Sequence, residues 1–295
     1  MTRSPIPVLL LEAGLVVAWS SGFIGAKLAA DTPSVFLVLF WRFVIVAALL
    51  APFVLQACRQ GFGRKQIALQ ALLGALAMFA YLATGIKAID LGVPAGTAAL
   101  ISALQPLATA ALVGPWLGEI VRPRQWLGLG VGFAGVLVAV GGALGDAPLW
   151  AYGLCFVGMA SLVVATLLAK AAAPMMKLLP ALGIQSAVTA LLFAPLALLE
   201  GGIMPPADAH FLAAVAWFIL FSTVGGYGLY WLCLRRSTAT RVGSLIYLTP
   251  PVTMLWAWAM FGEPLALAAV AGFALCVGGV ALARGPSVPS AVSQR

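Results

Sequence analysis

Few side chains in this sequence are of types that carry out chemistry, and their spacing excludes most of it. Cys58, Cys155, Cys233 and Cys276 are scattered with no CxxC pair, and His210 is the single histidine. That set builds neither a zinc site nor a thiol-redox pair, so no metal and no cofactor are expected. Hydrolysis would need paired acids, a serine with a histidine, or metal ligands close together, and no such grouping is present. No glycine-rich phosphate loop follows a strand pattern, which leaves ATP-driven work unsupported. What remains suits binding: tyrosines, tryptophans and small polar residues within apolar runs, two charges there (Glu12 and Arg42), and two recurring prolines. Pro106 and Pro250 are each followed thirteen residues later by a glutamate, Glu119 and Glu263. A proline inside a helix costs about 3 kcal/mol or more, so its repetition calls for a reason.

The elements that position these residues must lie in a membrane. Of 295 residues, 63% are hydrophobic and 8% charged, against about 25% charged in a soluble domain; the mean hydropathy is +1.09. The net charge of +8 forms no basic stripe interleaved with aromatics, which argues against nucleic acid. Basic residues in loops on one side of a bilayer account for it. The first apolar run is too long for a cleavable signal peptide and continues into a span.

At about 20 apolar residues per crossing, ten spans are predicted: 6–29, 34–57, 67–87, 93–114, 125–143, 148–170, 179–199, 209–232, 241–261 and 265–283. With the N-terminus inside, 13 of the 16 basic residues fall on the cytoplasmic side, as the positive-inside rule requires. Lys27 and Lys87 fall outside, each close to an acid, Asp31 and Asp90. Both termini are therefore expected in the cytoplasm, with no soluble domain between spans.

The proline–glutamate interval repeats at a shift of 144 residues. Gly118 then matches Gly262, Gly128 matches Gly272, Gly135 matches Gly279 and Gly141 matches Gly285. Span 4 falls on span 9 and span 5 on span 10, so the unit is five helices. An odd unit makes the second copy cross in the opposite sense, an arrangement common in secondary transporters. The division expected is 1–145 and 146–295, all-α, around a central cavity.

"WSSGFIGAKLA" (Trp19 to Ala29), "FWRF" (Phe40 to Phe43), the two proline-to-glutamate helices and the glycine-rich helices after them resemble the EamA branch of the drug/metabolite transporter superfamily over nearly the whole chain. Within that branch the chain is most similar to YddG-type exporters of aromatic amino acids. The resemblance implies a cavity lined by spans 1, 3, 4, 6, 8 and 9, with spans 5 and 10 peripheral. Small multidrug exporters, more distant relatives, carry a membrane glutamate eight residues before a lysine; counting back from Lys27, that place is Trp19 here. Their proton chemistry does not transfer.

On the implied lining helices fall Trp19, Ser20, Tyr81, Ser102, Gln105, Tyr227, Tyr230, Tyr247 and Thr249. Apolar and aromatic walls with a few polar groups suit a small ligand, although any one ring can equally be ordinary packing. Pro106 and Pro250 read as hinges or as static kinks. Glu12 lies roughly 9 Å into span 1, and Arg42 about 13 Å higher. Direct pairing is therefore not expected. Glu12 is given to inner-face water, and Arg42 to helix carbonyls or an outer acid. The GxxxG at 128–132 predicts close helix packing within one chain. A monomeric inner-membrane exporter of small amphipathic metabolites, aromatic amino acids above all, is the reading adopted. An intramembrane lipid-modifying enzyme, or a channel, is the alternative from another class.

Overall fold

A computed structural model describes residues 8–29, 32, 34–140, 146–172, 176–262 and 267–283. Asp31, Glu263, Gly141, Gly285 and the Lys27 side chain, all used in the sequence reading, lie outside the described residues. The regular elements among those described are helices: α1 Val8–Leu28, α2 Val35–Arg59, α3 Arg64–Asp90, α4 in two arms (Ala95–Ser102 and Gln105–Leu117), α5 Pro123–Val140, α6 Leu149–Ala171, α7 Leu178–Leu199, α8 Ala209–Arg236, α9 Ala239–Phe261 and α10 Leu267–Ala283. Seven of them, α2, α3, α4 and α6 to α9, are long and apolar enough to cross a membrane. α1 and α10 hold shorter apolar stretches, Val8–Gly22 and Val270–Ala283. α5 opens on Pro-Arg-Gln, which lowers its apolar content. The helices lie where the apolar runs predict, except that α8 continues four residues further, to Arg236.

Helix ends follow local chemistry. Ser34, Asp208 and Thr238 cap α2, α8 and α9 by accepting from backbone N–H groups of the first turn, the role in which such side chains replace missing helical partners. Gly118 and Gly262 end α4 and α9 in the left-handed region, at φ 69° and 66°, where a side chain would be strained.

The breaks inside helices recur at one interval. A π-helical turn starts at Gly74 in α3 and another at Phe218 in α8. α4 breaks after Ser102 and restarts at Gln105, while α9 passes through a 3-10 turn, Ile246–Leu248, and restarts at Thr249. Each pair of starts is 144 residues apart, as are Ala95 with Ala239 and Pro123 with Leu267.

This corrects the account of the prolines. Pro106 and Pro250 stand in the first turn of the restarted arms, where a proline forfeits no helical hydrogen bond. The penalty for a proline in mid-helix is not incurred, because the helix has already ended.

α5 packs chiefly on α10 and α2 on α7. At the α5–α10 seam a Cβ on Gly128 would lie 2.5 Å from the Ala283 nitrogen, and one on Gly272 2.7 Å from the Ala139 nitrogen. Gly135 likewise meets Cys276 and Gly272, and Gly279 meets Gly132 and Gly128. As numbers rise along α5 they fall along α10, so the two run antiparallel. Adding 144 to Gly128, Gly135 and Ala139 gives Gly272, Gly279 and Ala283, the same three residues that they meet across the seam, in reversed order. The close approach thus falls within one chain, where glycine lets backbones touch and dispersion contacts accumulate. Between α2 and α7, Phe193 stacks on Phe43 at 6.1 Å and meets Phe36 and Phe79.

Candidate functional site

Four rings from three helices meet in the middle of the bundle. Trp19 of α1 lies 6.5 Å from Tyr81 of α3, and 5.2 and 5.0 Å from Tyr227 and Tyr230 of α8. Tyr227 ends the π-helical turn of α8, and its hydroxyl donates to the Ala77 carbonyl (2.8 Å), inside the π-helical turn of α3. Such turns rotate the side chains that follow and are frequent at functional sites. Here they aim tyrosines of both helices at one tryptophan.

Polar groups edge the rings. The side chains of Trp19 and Ser102 lie beside the Tyr81 hydroxyl. The Tyr230 hydroxyl meets Thr166 Oγ1 of α6 at 2.5 Å and accepts from Gln105 Nε2 at 3.4 Å. Gln105 begins the second arm of α4, beside Pro106. The structure therefore brings Trp19, Tyr81, Ser102, Gln105, Tyr227 and Tyr230 together. It adds Thr166, which sequence reasoning missed although span 6 was implied as a lining helix; a threonine in mid-span was the available signal.

Three of the predicted lining residues sit elsewhere. The ring of Tyr247 fills the notch opposite Gly132 of α5, where a Cβ would come within 2.5 Å of it, so it faces the α5–α10 pair rather than the rings. Tyr247 lies in the 3-10 turn before Thr249, which alters the face presented from that of a continuous α-helix. Ser20 and Thr249 tie α1 to α9: Ser20 Oγ donates to the carbonyls of Val16 and Thr249, and Thr249 Oγ1 to that of Ile246. Both are buried.

The two membrane charges also have partners other than those predicted. Glu12, 1% exposed, is not at inner-face water; its Oε1 accepts from Arg241 Nε at 2.7 Å. Arg42, 0% exposed, meets neither an acid nor a helix carbonyl among the described residues. It donates to Thr223 Oγ1 (2.7 Å) and Ser222 Oγ (3.0 Å) in the π-helical turn of α8. Its guanidinium lies 4.6 to 6.0 Å from the Phe43, Phe218 and Tyr227 ring centroids. Desolvated cation–π contacts are worth about 2 kcal/mol, which offsets part of the cost of burying the charge.

A second basic group closes the same end of the bundle as Arg241. Lys170 Nζ donates to the carbonyls of Leu234 and Ser237 at 3.0 and 2.6 Å, binding α6 to the α8–α9 junction. Glu119, in the loop after α4, lies beside it. Burial pushes the Glu119 carboxyl above its usual range, and Lys170 and the Ala239 N–H oppose that rise.

Residues 6–141 and 149–285 each match the model of the EamA-like transporter family. A "Probable terminal-alkyne amino-acid exporter" of Streptantibioticus cattleyicolor is 28% identical over 90% of this chain and 90% of its own. The "Uncharacterized inner membrane transporter YedA" of Escherichia coli is 25% identical over 89% of this chain and 86% of its own. One solved crystal structure shares the fold, with a TM-score of 0.79 at 22% identity over 96% of this chain and 98% of that one.

Proposed function

The chain belongs to the EamA-like transporter family, membrane transporters rather than enzymes, and from that premise we propose that it exports small amphipathic metabolites, aromatic and other apolar amino acids above all, across the inner membrane by alternating access. The observation that carries the substrate class is the cluster of Trp19 with Tyr81, Tyr227 and Tyr230, edged by Ser102, Gln105 and Thr166. Rings on this scale suit an aromatic or large apolar side group, each contact adding about 0.5–1.5 kcal/mol beyond area burial. The polar edge holds one small zwitterionic end. Ser102, Gln105 and Thr166 carry no charge to clamp a phosphate or a second carboxylate, and Arg42, 6.0 Å from the Tyr227 ring, is engaged by Ser222 and Thr223. The amino-acid exporter among the relatives agrees with this reading.

In the mechanism proposed, ten spans form two inverted five-helix halves, 1–145 and 146–295, with both termini cytoplasmic. Support comes from the double family match, the helix breaks repeated at 144 residues and the antiparallel α5–α10 seam. The broken helices α4 and α9 are the moving parts, pivoting where Pro106 and Pro250 restart them. Backbone groups freed at such breaks stay satisfied only where they are packed in protein or face a cavity. Counterflow in proteoliposomes tests the substrate class. Tryptophan and phenylalanine are expected to exchange well, threonine less, and aspartate not at all. Aspartate exchanging as fast as phenylalanine would refute it.

A further inference from the structure

A cavity of about 240 Å³ lies beside the ring cluster, toward the end of the bundle that carries Lys170 and Arg241. α3, α6, α7 and α8 line it, with Leu69, Gln70 and Leu73 from α3, Gln185 from α7, and Trp231 and Arg235 from α8. α7 is not among the helices that the family resemblance implied as lining.

Two of its lining residues each carry a buried polar atom that lacks a partner among the described residues. Gln185, 1% exposed, donates from Nε2 to Gln70 Oε1 at 2.8 Å, while its Oε1 has no partner among the described residues. Trp231, 5% exposed, has no acceptor there for its Nε1. An unmet buried polar group costs about 1–3 kcal/mol, so an unmet acceptor on one lining residue and an unmet donor on another suit a ligand that supplies the complement. The wall's charges are both positive. Lys170 already serves two carbonyls, whereas Arg235 uses Nη2 on the Met176 carbonyl (3.0 Å), leaving further donors of its fork for an anion. Leucines and Met176 provide an apolar floor. The volume falls below the ~300–1,000 Å³ of drug-sized sites, so the ligand is small. The cavity is separated from the rings by packed aromatics: the Trp231 ring is 5.2 Å from Tyr230, itself 5.0 Å from Trp19.

We propose that this cavity is a second ligand site, an intake site that binds a small amphipath by its carboxylate before it reaches the rings. The carboxylate sits on Arg235 and Trp231 Nε1, and a donor of the ligand, such as an ammonium group, meets Gln185 Oε1. Naming the ligand as the transported amino acid rests on the function proposed above; the site itself does not.

Maleimide labelling of the full chain in detergent, carrying Cys58→Ser and Gln66→Cys at the cavity wall, tests the site. L-phenylalanine and 3-phenylpropionate are expected to slow labelling at least threefold, and phenethylamine, which lacks the carboxylate, to leave it unchanged. Trp231→Phe and Arg235→Gln should each abolish protection, and Trp19→Ala, at the rings, should retain it. Trp231→Phe keeps the ring, so it remains informative if Arg235→Gln fails to fold. The site is refuted if neither acid protects, if phenethylamine protects equally, if protection survives both cavity variants, or if only an anionic phospholipid protects. Protection without amino-acid counterflow would remove the transport reading and leave the site. Counterflow without protection would remove the site alone.

Discussion

Loss of the Arg241 guanidinium would leave the buried Glu12 carboxylate without the donor that now sits 2.7 Å away. Breaking a fully buried pair costs about 3–5 kcal/mol; the Arg241 side chain is 31% exposed, so solvent screening lowers the expectation to about 2 kcal/mol. Arg241→Gln should therefore lower the melting temperature in detergent, and the Glu12→Gln/Arg241→Gln double variant should recover most of it. Equal losses in the single and double variants would mean that the pair is not what holds α1 to α9. Glu119 offers a pH test. Its carboxyl is raised in the folded chain, so the folded state binds that proton more tightly than the unfolded one. Stability at this site is then highest at low pH and falls as pH rises through the raised value. Glu119→Gln should flatten that fall in a series of thermal melts above the ordinary carboxylate range; an unchanged slope would assign it to other groups. At this scale the sequence was only partly legible. The ring residues could be named because the family resemblance implied that their helices share one cavity, and Trp19, Tyr81, Tyr227 and Tyr230 do meet. The sequence could not identify Arg241, 229 positions from Glu12 and counted among loop charges, because partner choice depends on how α1 and α9 cross.

Helices were read well because apolar runs between breaks are long and their lengths are set by bilayer thickness. Their irregularities were not. Neither the π-helical turns at Gly74 and Phe218 nor the side that Tyr247 faces has a signature in composition. The prolines marked the broken helices correctly but suggested a strained kink where the chain restarts a helix. The glycine pattern on α5 and α10 was informative, because only glycine permits the backbone approaches seen between Gly128 and Ala283 and between Gly279 and Gly132. Gly128→Ala would place a methyl 2.5 Å from the Ala283 nitrogen and force the helices apart. A cost of about 1–3 kcal/mol is expected, as for overpacking generally. Gly130→Ala, on the same helix with nothing within 4 Å, should leave the melting temperature unchanged. Because alanine is the better helix former, propensity alone would raise stability in both variants; comparable losses in both would mean that the seam contact is not what the substitutions disturb.

For the whole molecule, the side proposed for each loop rests on the distribution of basic residues, and it can be checked directly. With Cys58→Ser removing the exposed thiol, an impermeant maleimide added to intact cells should label Asp146→Cys and miss Gln60→Cys; the reverse would invert the proposed orientation. The repeat at 144 residues was readable from Pro106, Pro250 and the paired glycines, and the helix breaks fall on the same interval. Which faces of the opposed elements enclose space was not readable, because cavities arise from packing between residues far apart in sequence. Whether a tryptophan held among three tyrosines selects an aromatic amphipath for export is decided by phenylalanine and aspartate counterflow in proteoliposomes with the parent chain, Trp19→Ala and Tyr81→Ala. Phenylalanine exchange should exceed aspartate exchange at least tenfold in the parent and fall about tenfold in each variant, equivalent to ~1.4 kcal/mol of lost contact; equal exchange of the two amino acids in the parent, or a ranking indifferent to both substitutions, would contradict the claim.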